Sequence, residues 1–421
     1  METNRNNFDP ESLREQFPAL RLEVNGEPAI FFDNPGGTQV PQRVIDAASG
    51  YYREQNANVG GAFLTSRRTT EVVTLAREAM ADLLNATDPS NIVFGPNMTT
   101  LTFHLARSIG DTIRPGDKIV VTNLDHDANV SPWTDLEARG AVIRTVDIHP
   151  EDCTLDLDSF RAALSERTRL VAITHASNAV GTIPDVPALI RLAHQTGALV
   201  FVDAVQYAPH GPIDVQALDC DFLACSAYKF FGPHAGVLYG KAVHLESLTP
   251  HKVRPSSNTI PLRWETGTLN HEGLAGVAAA VDYLADIGEQ HRGAAGSRRE
   301  RLQAAMGAIR EYEESLSCHL IEGLQRLGDV TIYGITDPAR LGERLPTVAF
   351  TWPRLSPRET VERLGEVGIF TWSGNYYALR LMERLGLEAE GGAVRIGLTH
   401  YNTVEEIDRL IAVLASIPRS A

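Results

Sequence analysis

A chain of 421 residues with 43% hydrophobic and 22% charged residues has the composition of a soluble globular protein and the length for a large domain with a smaller companion. Its net charge of −15 repels phosphate backbones and anionic bilayers, which argues against nucleic-acid and membrane partners. The four cysteines (Cys153, Cys220, Cys225, Cys318) form no CxxC and no metal-ligand spacing, the N-terminal stretch lacks a signal-peptide pattern, and no uncharged apolar run approaches the ~18 residues of a membrane span. A reducing cytoplasm, and no metal centre, are the expectation.

Between residues 29 and 240, short apolar runs alternate with amphipathic segments. The runs are AIFFD (29–33), NIVFG (91–95), KIVVTN (118–123), AVIRTVDI (141–148), LVAITH (170–175), LVFVDAV (199–205), DFLACSAY (221–228) and GVLYG (236–240). Most are near-continuous in hydrophobicity, as strands buried on both faces must be. Helical patterns such as TTEVVTLAREAMADLL (69–84) and VPALIRLAHQTG (186–197) separate them, so a mostly parallel sheet covered by helices is predicted. After about residue 245 the rhythm weakens into a Pro-rich stretch (249–261), a long helical region, and the runs TVAFTWP (347–353) and AVRIGL (393–398). The expected division is a large α/β domain over 26–269 and a small α+β domain made of 1–25 with 270–421.

Ligands of open α/β sheets bind at the carboxyl ends of the strands, which directs attention to those loops. P-N-M-T-T follows NIVFG and leads into a helix, whose exposed amides and hydroxyls suit an anion such as phosphate; a plain N-cap by Thr99 or Thr100 is the alternative. D-H-D-A-N after KIVVTN holds His126, A-S-N after LVAITH holds Asn178, and LVFVDAVQ carries Asp203 and Gln206. A carboxylate inside an apolar strand calls for a cationic partner. DFLACSAY ends in Ser226 and Tyr228, followed by Lys229.

Lys229 stands out because only four of the 38 basic residues are lysine. Lysine, unlike arginine, can lose its proton when desolvated and attack a carbonyl. A phosphate cradle, an imidazole, an acid in need of a cation and a lysine in an apolar pocket are together what pyridoxal phosphate requires. Lys229 would form a Schiff base with its aldehyde and Asp203 would keep its ring nitrogen protonated.

These residues resemble the class V aminotransferase group of fold-type I pyridoxal-phosphate enzymes, with similarity to the cysteine desulfurase and selenocysteine lyase branch. The resemblance runs from F-F-D-N-P-G-G-T (31–38) to R-I-G-L-T-H-Y-N (395–402) and rests on D-H-D-A-N-V-S-P-W (125–133), I-T-H-A-S-N-A-V-G-T (173–182), V-D-A-V-Q (202–206), S-A-Y-K-F-F-G-P (226–233) and R-W-E-T-G-T-L-N (263–270). It implies a large domain with a mostly parallel seven-stranded sheet, a smaller α+β domain, and a homodimer with shared active sites. It implies Lys229 as the Schiff-base lysine, His126 stacked on the pyridine ring, Asp203 on the ring nitrogen and Gln206 on the phenolic oxygen. It assigns the phosphate to Thr99, the Met98 backbone and Ser226, with Thr268 reaching the phosphate of the neighbouring subunit. Asn178 and Arg395 are implied to hold an amino-acid substrate, Arg395 by its α-carboxylate.

The chain departs from the desulfurase pattern where that branch carries R-x-G-H-H-C-A. The matching stretch is W-S-G-N-Y-Y-A (372–378), with Tyr377 in place of the nucleophilic cysteine and Trp372 in place of the arginine. A histidine that usually precedes the lysine is Tyr228, whose hydroxyl suits phosphate, and the family's V-H-R-G segment is V-G-G-A (59–62). Trp372 and Tyr377 are therefore expected at the substrate, on a loop that closes over it, and the substrate is expected to be larger or less polar than cysteine. Elimination of sulfur or selenium without a persulfide-forming cysteine is the first expectation. Transamination, epimerisation and bond formation remain alternatives, and a non-catalytic cofactor-binding protein is a further one.

Overall fold

The structure is a computed structural model that describes residues 8–418. Seven strands build its large sheet: β1 (Ile92–Gly95), β2 (Lys118–Thr122), β3 (Val142–Val146), β4 (Thr168–Thr174), β5 (Leu199–Asp203), β6 (Phe222–Ser226) and β7 (Gly236–Gly240). Their order is β1-β7-β6-β5-β4-β2-β3. Only β7 runs against its neighbours, so the other six share one direction. Side chains on both faces of the central strands are fully buried, Ile119, Val120 and Val121 of β2 among them, which is why these segments read as unbroken apolar runs.

A second, antiparallel sheet of four strands has the order β8-β9-β11-β10, with β8 (Thr331–Tyr333), β9 (Thr347–Thr351), β10 (Trp372–Gly374) and β11 (Ala393–Gly397). The run at 29–33, read as one of the buried strands, belongs elsewhere. Only Ile30–Phe31 is a strand, and it pairs in parallel with Ile369–Phe370. Its burial alternates: Ile30 and Phe32 sink into the core of the second sheet beside Val394 and Ile396, whereas Phe31 and Asp33 do not. That phase leaves Asp33 at the rim, bridged to Gly397.

Helices cover the large sheet, among them α1 (Leu64–Leu84), α2 (Met98–Gly110) and α3 (Val186–His194). The expected boundary at 269/270 does not coincide with a change of core. In α4 (His271–Arg292), Leu274, Val277, Val281 and Leu284 are buried in one cluster with Ile92, Phe94 and Val237 of the large sheet, and Leu13 and Phe17 join them. Helix α5 (Arg298–Arg326) starts in that cluster through Leu302 and Met306 and ends in the core of the second sheet through Leu320 and Leu324. A continuous amphipathic helix carries no local mark of which core it serves, so the sequence could not locate the change.

Candidate active site

Because six strands run one way, the loops after β1, β2, β4, β5 and β6 converge on one edge. After β1 the chain turns through Pro96 into α2. Asn97, not Thr99 or Thr100, caps that helix, its Oδ1 accepting from Thr100 N at 2.8 Å. Thr99 is left exposed at the helix start, and Ser226 Oγ at the end of β6 accepts from Met98 N at 3.2 Å. Gly236 lies opposite Ser226 on β7, where any Cβ would collide with the Asn97 backbone; glycine is what lets β7 pass under the helix start.

Lys229 closes a single 3-10 turn (Ala227–Lys229) and is 8% exposed, its Nζ donating to Pro35 O. Burial, with Arg395 adding repulsion, brings its pKa down to about 7. Its Nζ lies 5.0 Å from the centroid of the Tyr228 ring, which stacks in turn on His234. Asp203 ends β5, buried, with Oδ1 accepting from Val205 N at 2.9 Å. Burial lifts its carboxyl to about 6. His126 Nδ1 accepts from Ala128 N at 3.0 Å, and burial next to Lys229 pushes its pKa down to about 4, so at neutral pH the ring is uncharged with its proton on Nε2. Gln206 donates from Nε2 to Thr347 Oγ1 at 3.2 Å, and its buried Oε1 has no partner. Half a turn of this amide lets Thr347 donate to Oε1 and frees Nε2 to donate into the cavity.

On the second sheet, Arg395 reaches Asn178 O with Nη1 (3.0 Å) and Asp33 Oδ1 with Nη2 (3.0 Å), while its buried Nε has no partner. Asn178 spends its Nδ2 on Tyr376 O at 2.9 Å, leaving a buried Oδ1 unpartnered. Trp372 sits directly across from Arg395 in the β10–β11 register, so both side chains share one face. Tyr376 and Tyr377, adjacent in the chain, have opposite fates. Tyr376 is buried beneath the Arg395 guanidinium and donates to Ala393 O, whereas Tyr377 is 73% exposed with its ring 5.5 Å from that of His126. The loop expected to close over the substrate is already pinned: Tyr377 O accepts from Asp127 N at 2.7 Å and Tyr376 O accepts from Asn178.

Thr268 is exposed and lies outside this cavity. Its motif does structural work: Trp264 Nε1 donates to Leu245 O, Glu265 pairs with buried Arg77 at 2.7 Å, and Asn270 caps α4. The remaining residues expected at the site, namely Met98, Thr99, His126, Asn178, Asp203, Gln206, Ser226, Tyr228, Lys229, Trp372, Tyr377 and Arg395, all line one cavity of about 660 Å³. Asp33, Asn97, Asn375, Tyr376 and Glu388 line it too, without a role assigned from the sequence. For Asp33 a signal existed, an acidic residue at the end of an apolar run.

The family profile "Aminotransferase class-V" matches residues 30–410. This chain belongs to the class-V aminotransferase family. It is 36% identical to a cysteine desulfurase of Salmonella newport (strain SL254), covering 98% of this chain and 99% of that one. Among solved structures it resembles the apo cysteine desulfurase of Thermococcus onnurineus NA1, with a TM-score of 0.85, 30% identity, and coverage of 99% and 98% of the two chains. It also resembles the cysteine desulfurase CsdA of Escherichia coli in its S-sulfonic acid form, with a TM-score of 0.82, 29% identity, and coverage of 97% and 98%.

As a class-V aminotransferase family member, the chain is a pyridoxal 5′-phosphate-dependent enzyme. The cavity fits that cofactor on its own geometry. A helix N-terminus with an exposed Thr99 offers donors to a dianion, a desolvated amine stands ready for an aldehyde, a buried carboxyl of raised pKa needs a cationic partner, and Gln206 keeps an unpartnered polar atom.

Proposed function

We propose that this chain is a C–S (or C–Se) lyase that takes a cysteine-type amino acid and ends by elimination, with no persulfide formed on any cysteine of its own. The observation that carries this reading is the wall of the cavity: Tyr377 stands where desulfurases of the resembled pattern hold their cysteine, and no cysteine lines the site. Cys153, Cys220 and Cys225 are buried in the cores, where burial pushes their thiols up, and Cys318 points to Glu322 on α5. The similarity to proteins named cysteine desulfurases supports C–S chemistry.

In this reading the Met98 amide, Thr99, Ser226 and Tyr228 hold the cofactor phosphate, His126 lies on its ring, Asp203 faces its ring nitrogen and Gln206 its phenolic oxygen. Bound pyridoxal phosphate supplies an electron-withdrawing ring that takes up the electron pair left at the substrate Cα. Lys229 Nζ would hold the aldehyde until the substrate's own amine takes its place, and the amine so freed would accept the Cα proton; burial that lowers its pKa to about 7 favours the neutral form this needs. Arg395 holds the α-carboxylate and Asn178 lies beside it. Trp372 and Tyr377 shield the reacting carbon from water. The enzyme works in the cytoplasm, as a homodimer whose Thr268 reaches the partner's phosphate site; the exposure of Thr268, Phe63 and Leu64 on the single chain leaves them free for such a dimer contact.

The test is product identity together with cysteine replacement. Turnover of a cysteine-type substrate should give pyruvate with a released thiol or sulfide, and a variant lacking all four cysteines should keep its rate. Alanine as product, persulfide mass on the protein, or a several-hundred-fold loss in a folded four-cysteine variant would overturn the reading.

A further inference from the structure

Two large aromatic rings are exposed on the single chain at the mouth of the cavity. Trp372 is 57% exposed and Tyr377 73%, and both line the cavity. Trp372 is the only one of the four tryptophans that is not buried. Its place is set by register: it faces Arg395 directly across antiparallel strands, so a molecule held at that guanidinium has the indole as its neighbour. Tyr377 is held out at a cost. Both Tyr376 and Tyr377 adopt left-handed backbone, with φ of +55° and +59°, a conformation unfavourable for side chains with a Cβ. Hydrogen bonds from Asp127 N and Asn178 Nδ2 to this pair fix the strained turn. Strain kept at a cavity mouth points to use there.

We infer that the substrate is a thioether, a cysteine whose sulfur carries a bulky apolar substituent, and that Trp372 and Tyr377 select it. The inference rests on the elimination reading above. Free cysteine carries no apolar substituent to cover these rings. An aryl or alkyl group on the sulfur extends past Cβ towards the mouth, where covering apolar ring surface favours binding. The chemistry agrees. A thioether sulfur cannot be passed on as neutral sulfur, so no acceptor thiol is required. The Cα proton goes to Lys229 Nζ, the Cβ–S bond breaks with its electron pair on sulfur, and the thiolate takes a proton. The three-carbon fragment leaves as 2-aminoacrylate, which water converts to pyruvate and ammonium. The sum is R–S–CH2–CH(NH3+)–COO− + H2O → RSH + pyruvate + NH4+, with no oxidant or reductant.

The experiment compares L-cysteine, S-methyl-L-cysteine and S-benzyl-L-cysteine on the holoenzyme, following thiol (or sulfide) and pyruvate together. The expected result is a kcat/KM for the S-benzyl compound at least about tenfold above that for L-cysteine, the scale that apolar pocket contacts reach. In Trp372→Ala and in Tyr377→Ala the S-benzyl to S-methyl ratio should fall several-fold, and Trp372→Phe should restore most of it. A binding readout is independent of turnover: S-benzyl-L-cysteine should quench exposed-tryptophan fluorescence of the cofactor-free parent and not of Trp372→Phe. Pyruvate formed fastest from L-cysteine, or a selectivity ratio unmoved by both alanine variants, overturns the thioether assignment and leaves elimination standing. Absence of pyruvate from all three compounds sinks both.

Discussion

Arg395 Nη2 sits 3.0 Å from Asp33 Oδ1, and the guanidinium lies 4.3 Å from the centroid of the Tyr376 ring. One cation is thus held by a carboxylate 362 positions away in sequence and by an aromatic face, with only Nε left unpartnered. A substrate carboxylate must therefore approach the Nε side or displace Asp33. Only a planar fork can hold Asn178 O, Asp33 and a substrate together. Arg395→Lys should raise KM for the amino acid by about 10–100-fold, the worth of a charged hydrogen bond, with a smaller change in kcat. Steady-state kinetics check this; an unchanged KM would remove Arg395 from the carboxylate site.

Lys229 titrates at about 7 because it is buried beside Arg395, while Asp33 and Asp203 pull the other way. Covalent capture of pyridoxal phosphate by the cofactor-free protein needs the neutral amine. Its rate should rise between pH 6 and 8 and level off above, and borohydride reduction followed by peptide mapping should find the cofactor on Lys229. Asp33→Asn removes a group that favours the ammonium form, so the midpoint should move to lower pH. A cofactor mapped to Lys118, Lys241 or Lys252 would contradict the assignment.

Asp203 is raised by burial from 3.8 to about 6. In that interval the folded, cofactor-free chain keeps a proton that the unfolded chain has released, so stability falls as pH rises through it. Asp203→Asn has no such penalty. Urea unfolding at pH 4 and at pH 7 should show the variant gaining on the parent by on the order of 2–3 kcal/mol. The same substitution should slow turnover by about 10²–10³, the usual scale of an electrostatic contribution, because an amide cannot hold a proton on the ring nitrogen. A pH-independent stability difference would contradict the buried, uncompensated carboxyl.

Glu265 anchors the edge of the sheet on which the phosphate cradle stands. It pairs with Arg77 at 2.7 Å and accepts from Phe94 N at 2.9 Å, while Arg77 donates to Ile92 O at 2.7 Å. Both ends of β1 depend on this buried pair. Glu265→Ala should cost roughly 3–5 kcal/mol, since it strands a buried guanidinium. Chemical denaturation measures it, and weaker cofactor retention should accompany the loss.

The residues that this cavity gathers were legible where they broke a pattern. Asp203 and Lys229 are charged groups at the ends of runs that bury both faces, and a sheet of that kind tolerates such groups only with a partner or a task. The central strands were legible for the same reason, because double burial forces a continuous apolar sequence; edge strand β3, with Arg144 and Thr145 exposed, departs from that rule. The carboxyl edge of the sheet, with His126 and Gln206 in its loops and Ser226 at a strand end, followed from strand direction. What sequence could not reveal depends on contacts between distant positions. The partnership of Asp33 with Arg395, the placing of 30–31 against 369–370, and the sharing of α5 between two cores leave no local periodicity behind. Nor did the sequence show which way the two adjacent tyrosines point. Their chemistry is identical, and only the left-handed backbone between β10 and α-helical Leu379–Arg384 turns Tyr376 under Arg395 and Tyr377 out over His126. Residue type is carried by the chain itself, whereas the direction in which a side chain leaves the backbone is decided by the packing of everything around it.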